Sequence, residues 1–177
     1  MIKVHKEPAI GRLATLPSIE YQLLREIQPL TVRQVATPSP ALLELYEQVR
    51  ENSTFGTAWR FPKCSEISRK LGKDTVTKLL AITLADLSQI AHADCRLFPA
   101  QITSLAEELA QQFPYESYRE FVVAFKEVRS RVSRWRRPLS RRRIIQLLHI
   151  HFERRAEYLE RFHGSYSEKN PAYSQRA

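Results

Sequence analysis

From Asp74 to Ala91 the chain reads DTVTKLLAITLADLSQIA. Apolar residues recur in this stretch at spacings of three and four, and alanines and an isoleucine make the opposite side apolar as well. After Asp74 the only charged residues in it are Lys78 and Asp86. A helix that is apolar nearly all round is buried, so the stretch predicts a central helix with Asp74 as its N-cap.

Amphipathic segments on both sides of this helix predict its neighbours. A short helix ends before Gly72, a residue type that is favoured just after a helix C-terminus. Pro99 opens a helix whose apolar residues follow the i, i+3, i+4, i+7 pattern. Another helix starts near Tyr118, and Ser140 caps a last long one. We therefore predict that residues 62–163 form a compact helical bundle.

The two ends of the chain show weaker patterns. Residues 1–61 predict an arm with two short helices, one over 19–28 and one from Pro40, joined by linkers. Residues 164–177 are polar, have no apolar period and are predicted to be disordered. The predicted fold class is all-α: a compact bundle of about five helices with a looser N-terminal helical extension.

Composition narrows the class of protein. The chain has 177 residues, enough for one domain with its own core. Only 4 glycines occur, which argues against a turn-rich all-β fold, and 2 cysteines are too few for a disulfide framework. No apolar run has the length of a membrane helix, and the N-terminus lacks the apolar core of a signal peptide. We expect a cytoplasmic protein.

Positive charge is concentrated in one stretch, 129–143, which we call the arginine stretch. It contains eight arginines and no acidic residue, and so accounts for eight of the nine net positive charges of the chain. A local excess of this kind needs a local explanation, whereas dispersed charge would indicate little. The arginines are Arg129, Arg131, Arg134, Arg136, Arg137, Arg141, Arg142 and Arg143.

Two features of the arginine stretch favour nucleic acid as the partner. Trp135 lies among the arginines, and an exposed indole beside guanidinium groups can stack on a base. With Ser140 as N-cap, Arg141, Arg142 and Arg143 occupy the first helical turn, where cations oppose the helix dipole unless an anion is bound. Free backbone N–H groups and arginine side chains together suit a phosphate group.

Two other interpretations of the arginine stretch stay open. It could bind an acidic protein surface, because guanidinium groups pair with carboxylates as well as with phosphates. It could also have no partner, with its charge neutralised by acids elsewhere in the chain. The candidate acids are Glu107, Glu108, Glu116, Glu120 and Glu127.

Two aromatic groups are further candidates for binding. Trp59, Arg60 and Phe61 lie in a predicted loop beside a proline, where they could dock a partner. We favour instead an aromatic anchor that pins the N-terminal arm to the bundle. The second group has helical spacing, which favours packing in the core over a stacking platform. Its members are Tyr115, Tyr118, Phe121 and Phe125.

No pattern in the sequence supports catalysis, a metal site or a cofactor. His92, Asp94 and Cys95 are possible metal ligands at short spacing, but zinc would need further ligands from elsewhere. His149 and His151 are two residues apart, so on a helix they point to different sides. The chain has no glycine-rich phosphate loop and no clustered aspartates. We expect no enzymatic activity, no metal and no cofactor.

Four segments define the order of the predicted helices between residues 72 and 161. They are Leu84-Ala85-Asp86-Leu87, then Gln101-Ile102 with Ala106 and Leu109, then 121–129, then 145–154. In this part, about half of the chain, the layout resembles that of small helical proteins carried by bacterial phages and mobile elements. Some of those proteins resemble replication accessory or helicase-loader domains. The resemblance implies a role in DNA replication or in the maintenance of a mobile element.

The chain departs from that group at the turn before its last helix. The proteins of that group have at this position a basic turn that contains glycine and tyrosine and ends with an acidic residue. Here Arg131-Val132-Ser133-Arg134-Trp135 takes the place of the turn, and Arg141 stands in the acidic position. The basic character is retained, and the resemblance supplies no catalytic residues.

The sequence therefore favours a nucleic-acid-binding accessory protein without enzymatic activity, with DNA preferred over RNA as the partner. The alternative is an adaptor that binds an acidic protein, with Trp59 and Trp135 as its anchors.

Overall fold

The computed structural model describes residues 18–132 and 138–169, and side chains within 19–129, at Val132 and within 138–161. These ranges contain eight α-helices and no β-strand, which confirms the predicted all-α bundle. None of the described helices combines the length and the hydropathy that crossing a membrane requires. The helices are α1 Ser18–Ile27, α2 Val32–Val35, α3 Pro40–Glu51, α4 Cys64–Leu71, α5 Lys73–Gln89, α6 Pro99–Gln112, α7 Tyr118–Val132 and α8 Arg141–Lys169.

Helix α5 is the central helix that the sequence predicts. Of its 17 residues, 13 are buried, and it packs against α1, α2, α3, α4, α6 and α7. It begins two residues earlier than expected, at Lys73, so Asp74 lies in the first turn and is not the N-cap. Gly72 joins α4 to α5 with φ 97°, a conformation that is open to glycine and strained for other residues. Glycine at this position therefore permits the sharp change of direction between the two helices.

The described part of the predicted N-terminal arm packs into the same core as the rest of the bundle. Leu23 and Ile27 of α1 and Tyr46 and Val49 of α3 are at most 1% exposed. The short helix α2, which the sequence did not predict, is stabilised by a capping box between Thr31 and Gln34. Residues 1–17, predicted to be an arm, lie outside the described residues.

Helices α7 and α8 meet along aromatic and charged side chains. Phe121 and Phe152 pack edge to face, with ring centroids 5.6 Å apart. Beside them the buried His151 contacts the fully buried Glu120, with 2.7 Å between Nε2 and Oε2. Arg154 makes an ion pair with Glu127 at 3.1 Å. Apolar and charged contacts thus hold the first half of α8 against the bundle.

Two expectations near α7 and α8 need correction. Tyr118, Phe121 and Phe125 are buried as predicted, but Tyr115 is 74% exposed because it precedes α7 and does not share the helical period. Helix α8 continues through Gly164 to Lys169, although we expected a polar tail from that glycine onward. Residues 170–177 of that predicted tail lie outside the described residues.

Candidate nucleic-acid interface

The structure describes only part of the predicted interface. Arg129 lies near the end of α7, and Arg141, Arg142 and Arg143 form the first turn of α8, as the sequence predicts. Arg131 belongs to α7, but its side chain is not among those described. The other predicted residues, which all lie outside the described residues, are Arg134, Trp135, Arg136 and Arg137.

Arg129 makes a contact inside the bundle. Its guanidinium group forms an ion pair with Asp86 of α5, whose side chain is only 12% exposed. Asp86 also accepts a hydrogen bond of 2.8 Å from Nη1 of Arg50, a buried residue of α3. Asp86 therefore links α3, α5 and α7. Because the charge of Arg129 is matched by Asp86 within the bundle, Arg129 is not part of the proposed interface.

The start of α8 has the geometry that the sequence predicts. The hydroxyl of Ser140 accepts a hydrogen bond from the backbone N–H of Arg143 at 3.4 Å, which makes Ser140 the N-cap. Arg141 and Arg142 are exposed, and Arg143 is half-buried. The first backbone N–H groups of a helix have no hydrogen-bond partner in the helix backbone, and here three consecutive arginines occupy that turn. An anion at this turn would meet hydrogen-bond donors, positive charge and the favourable end of a helix dipole together.

Glu108 of α6 faces this cationic turn. Arg141 donates two hydrogen bonds to its carboxylate, one from Nε and one from Nη2. The hydrogen bond from Arg141 lowers the pKa of Glu108, and the same contact raises the pKa of Arg141. The side chain of Arg141 remains 71% exposed, so water and salt screen the pair and it adds little stability. An incoming phosphate can therefore compete with Glu108 for Arg141.

The other acids that could neutralise the arginine stretch contact different residues. Glu116, Glu120 and Glu127 face Arg155, His151 and Arg154 on the body of α8. Glu107 is exposed and makes no ion pair with a described residue. Of the five acids considered, Glu108 is thus the one whose described contacts reach this turn.

A groove of about 800 Å³ lies beside the same turn. One wall is α6, and the other is the segment 138–141 that leads into α8. Three of its lining residues, Leu97, Leu105 and Leu139, are apolar and buried. The more exposed lining residues are Ala100, Gln101, Ser104, Glu108, Pro138, Ser140 and Arg141.

Backbone hydrogen bonds hold this groove in shape. The N–H of Leu139 donates to the carbonyl of Cys95 at 3.0 Å, which fixes the segment before α8. The N–H of Leu97 donates to the hydroxyl of Ser88 at 2.8 Å, which fixes the segment before α6. These two hydrogen bonds fix the backbone of both segments that border the groove. No pattern in the sequence predicts this groove, because its two walls come from segments that are far apart along the chain.

The second predicted docking site, Trp59, Arg60 and Phe61, packs mostly against its own surroundings. The guanidinium carbon of Arg119 lies 3.5 Å from the centroid of the Phe61 ring, and Phe61 is half-buried. The indole N–H of Trp59 donates to the carbonyl of Gly56 at 3.1 Å. These contacts agree with the anchor that we favoured from the sequence. Arg60 is exposed, with its guanidinium carbon 5.1 Å from the Trp59 ring centroid.

The potential metal ligands and nucleophiles do not come together. Of the three candidate ligands, Cys95 is buried while His92 and Asp94 are exposed, and the described residues contain no group of three possible ligands. Burial, aided by the charge of Glu116, raises the pKa of the Cys64 thiol to about 12. A thiol with such a pKa is not a nucleophile at neutral pH.

Comparisons with known proteins place the chain in no group. No protein-family profile, no curated protein and no solved structure matches it. Its function must therefore be argued from its own residues.

Replacing Glu108 with glutamine should strengthen binding to a single- or double-stranded oligonucleotide severalfold. The variant removes the carboxylate that competes with phosphate for Arg141, so the affinity should rise at each salt concentration. The log–log slope of affinity against salt should stay near that of the wild-type protein, because Arg141 contacts phosphate in both proteins. Fluorescence anisotropy with a labelled oligonucleotide at several salt concentrations measures both quantities.

Glu107→Gln is the matched control, because it makes the same change of charge one residue away, at an acid that pairs with no described residue. It should leave the affinity nearly unchanged. Equal effects of the two substitutions would mean that net charge matters and that Arg141 has no particular role.

Proposed function

We propose that the chain is a cytoplasmic, non-enzymatic accessory protein that binds nucleic acid through the arginine-rich segment between α7 and α8 and the start of α8. The observation that carries the proposal is the first turn of α8, which consists of three consecutive arginines, two of them exposed, at the positive end of a 29-residue helix. Both the helix dipole and the neighbouring cations make this turn unfavourable without an anion. Phosphate is the anion that arginine side chains and a helix N-terminus bind together most readily.

The residues that precede Pro138 in the arginine stretch extend the same chemistry along the sequence. Arg134, Trp135, Arg136 and Arg137 immediately precede the described segment in sequence, and no acid interrupts 129–143. A run of arginines with one tryptophan suits a nucleic-acid backbone with bases nearby. The resemblance to helical proteins of phages and mobile elements supports a role in DNA replication or element maintenance, and DNA as the polymer.

The salt dependence of binding tests this proposal. If Arg136, Arg137, Arg141, Arg142 and Arg143 contact phosphates, the log–log slope for duplex DNA should be about −4 to −5. Replacing Arg141, Arg142 and Arg143 together with glutamine should flatten it by about three units, with little change in sequence preference. The unfolding midpoint should stay the same or rise slightly, since these cations oppose the dipole of α8.

A charge-matched variant serves as the control. Arg25, Arg33 and Arg69 are exposed residues of α1, α2 and α4, and replacing them with glutamine removes the same three charges elsewhere. That variant should keep the slope of the wild-type protein. An equal loss in both variants would reduce the binding to general attraction by net charge. Unfolding of the α8 variant would show that its arginines are structural.

An acidic protein partner would give a different result. Oligonucleotides would then bind weakly and with little dependence on the three arginines, while a polyglutamate peptide would bind to the wild-type protein and not to the α8 variant. This outcome would replace the nucleic-acid proposal with the adaptor.

A further inference from the structure

Phosphate binding at the first turn of α8 does not account for the groove beside it. Its volume of about 800 Å³ lies within the range of sites for small organic molecules. Its most buried lining residues, Leu97, Leu105 and Leu139, are apolar, and the exposed Arg141 also lines it. A ligand that fits both parts has a flat, largely apolar body joined to an anionic group.

We propose that this groove takes an unpaired base of a single-stranded nucleic acid while the arginines at the start of α8 hold its phosphates. The inference rests on the proposed function and names its substrate class. A nucleotide has the required combination of a flat body and an adjacent negative charge. In a duplex the bases are stacked and paired, and taking one out of the stack costs free energy. Single strands present their bases without that cost.

The exposed polar residues that line the groove can form hydrogen bonds with the edge of such a base. Ser104 is exposed on α6, and its hydroxyl can donate or accept a hydrogen bond. The Oε1 atom of Gln101 accepts the N–H of Phe98 at 2.9 Å, which leaves its amide NH₂ available to an acceptor on a base. The hydroxyl of Ser140 accepts from the N–H of Arg143 and can still donate. These groups accept several bases, so we expect little sequence preference.

The arrangement also links the base to the backbone that carries it. Arg141 lines the groove and at the same time begins α8, so a phosphate at the helix start would lie at the mouth of the groove. Its partner Glu108 lines the groove too, and their ion pair is exposed. Exchange of that carboxylate for a phosphate would open this end of the groove to the attached base.

Filling the groove tests the inference without changing any charge. The double substitution Ala100→Leu with Ser104→Leu places two larger apolar side chains on the α6 wall of the groove. Both positions are exposed, and leucine is a good helix former, so α6 should be preserved. The control, Gln111→Leu with Gln112→Leu, makes the same type of change on exposed residues of α6 outside the groove. Circular dichroism and thermal unfolding establish that both variants are folded.

The binding experiment compares three labelled probes of equal length: a thymidine homopolymer, the same strand with abasic residues, which carries the same charge, and a duplex. The wild-type protein and the control variant should bind the thymidine strand on the order of tenfold more tightly than the abasic strand, the scale of one base contact. The filled variant should lose that advantage and keep its affinity and salt slope for the duplex.

Three results would overturn the inference. Equal binding of the thymidine and abasic strands by the wild-type protein would show that no base enters the groove while leaving the proposed function in place. An unchanged preference in the filled variant would place the base elsewhere. Binding of polyglutamate that is lost on filling, with no effect on the oligonucleotides, would assign the groove to an acidic peptide. Absence of salt-dependent binding to every oligonucleotide is a separate result, which would remove the proposed function itself.

Discussion

Replacing Asp86 with asparagine should lower the free energy of unfolding by about 3 to 5 kcal/mol, because it leaves the buried Arg50 without its main counter-charge. The side chain of Arg50 is 6% exposed, and Asp86 accepts its Nη1 at 2.8 Å. Burial by itself would lower the pKa of Arg50, but the charge and hydrogen bond of Asp86 raise it, and the net shift is upward. Asp86 also pairs with Arg129, so one substitution weakens the links among α3, α5 and α7.

Urea unfolding followed by circular dichroism measures this loss, and a surface ion pair provides the control. Glu66→Gln removes the i, i+4 partner of Lys70, whose side chain is 31% exposed, and should cost less than about 1 kcal/mol. The double variant of Asp86→Asn with Arg50→Gln should lose less than the sum of the two single variants, because the pair is coupled. Additive losses would contradict the role that we assign to the pair.

The ion-pair partners of Asp86 could not be predicted from the sequence. Its place in an otherwise apolar helix was plain from the sequence, but its partners, Arg50 and Arg129, are 36 and 43 residues away along the chain. No periodicity within a helix reveals a contact over such a separation. The same holds for Glu20 and Arg119, a nearly buried ion pair that joins α1 to α7. Such long-range pairs explain why helices expected in a looser arm pack into the common core.

In the candidate site, too, the local features could be predicted from the sequence and the long-range contacts could not. Ser140 as N-cap and arginines on the following turn are local features, and the structure places them as predicted. The contact between Arg141 and Glu108, and the groove between their two segments, depend on how α6 packs beside the start of α8. Tyr115 shows the reverse error, since a helical spacing was extended beyond the first residue of the helix. Local chemistry could be predicted from the sequence, and the shape of the site could not.

Truncation of Leu80 or Leu84 to alanine should each cost about 2 to 5 kcal/mol, through lost apolar contact and the cavity that is left. Both side chains are fully buried in α5. Six helices pack against α5, so the surroundings of a truncated side chain are held from several directions and can collapse little. We therefore expect values in the upper half of that range, measured as a shift in the urea midpoint at constant m-value.

Ile90 provides the comparison within the same segment. It follows α5 as the C-cap residue and is only partly buried against the core. Ile90→Ala should cost about 1 kcal/mol, the typical loss for a substitution without a large cavity. A loss at Ile90 as large as at Leu80 would mean that the end of α5 is as tightly packed as its middle. Unchanged midpoints for both leucine variants would contradict the central position of α5, on which the placement of α6 and the groove beside α8 depends.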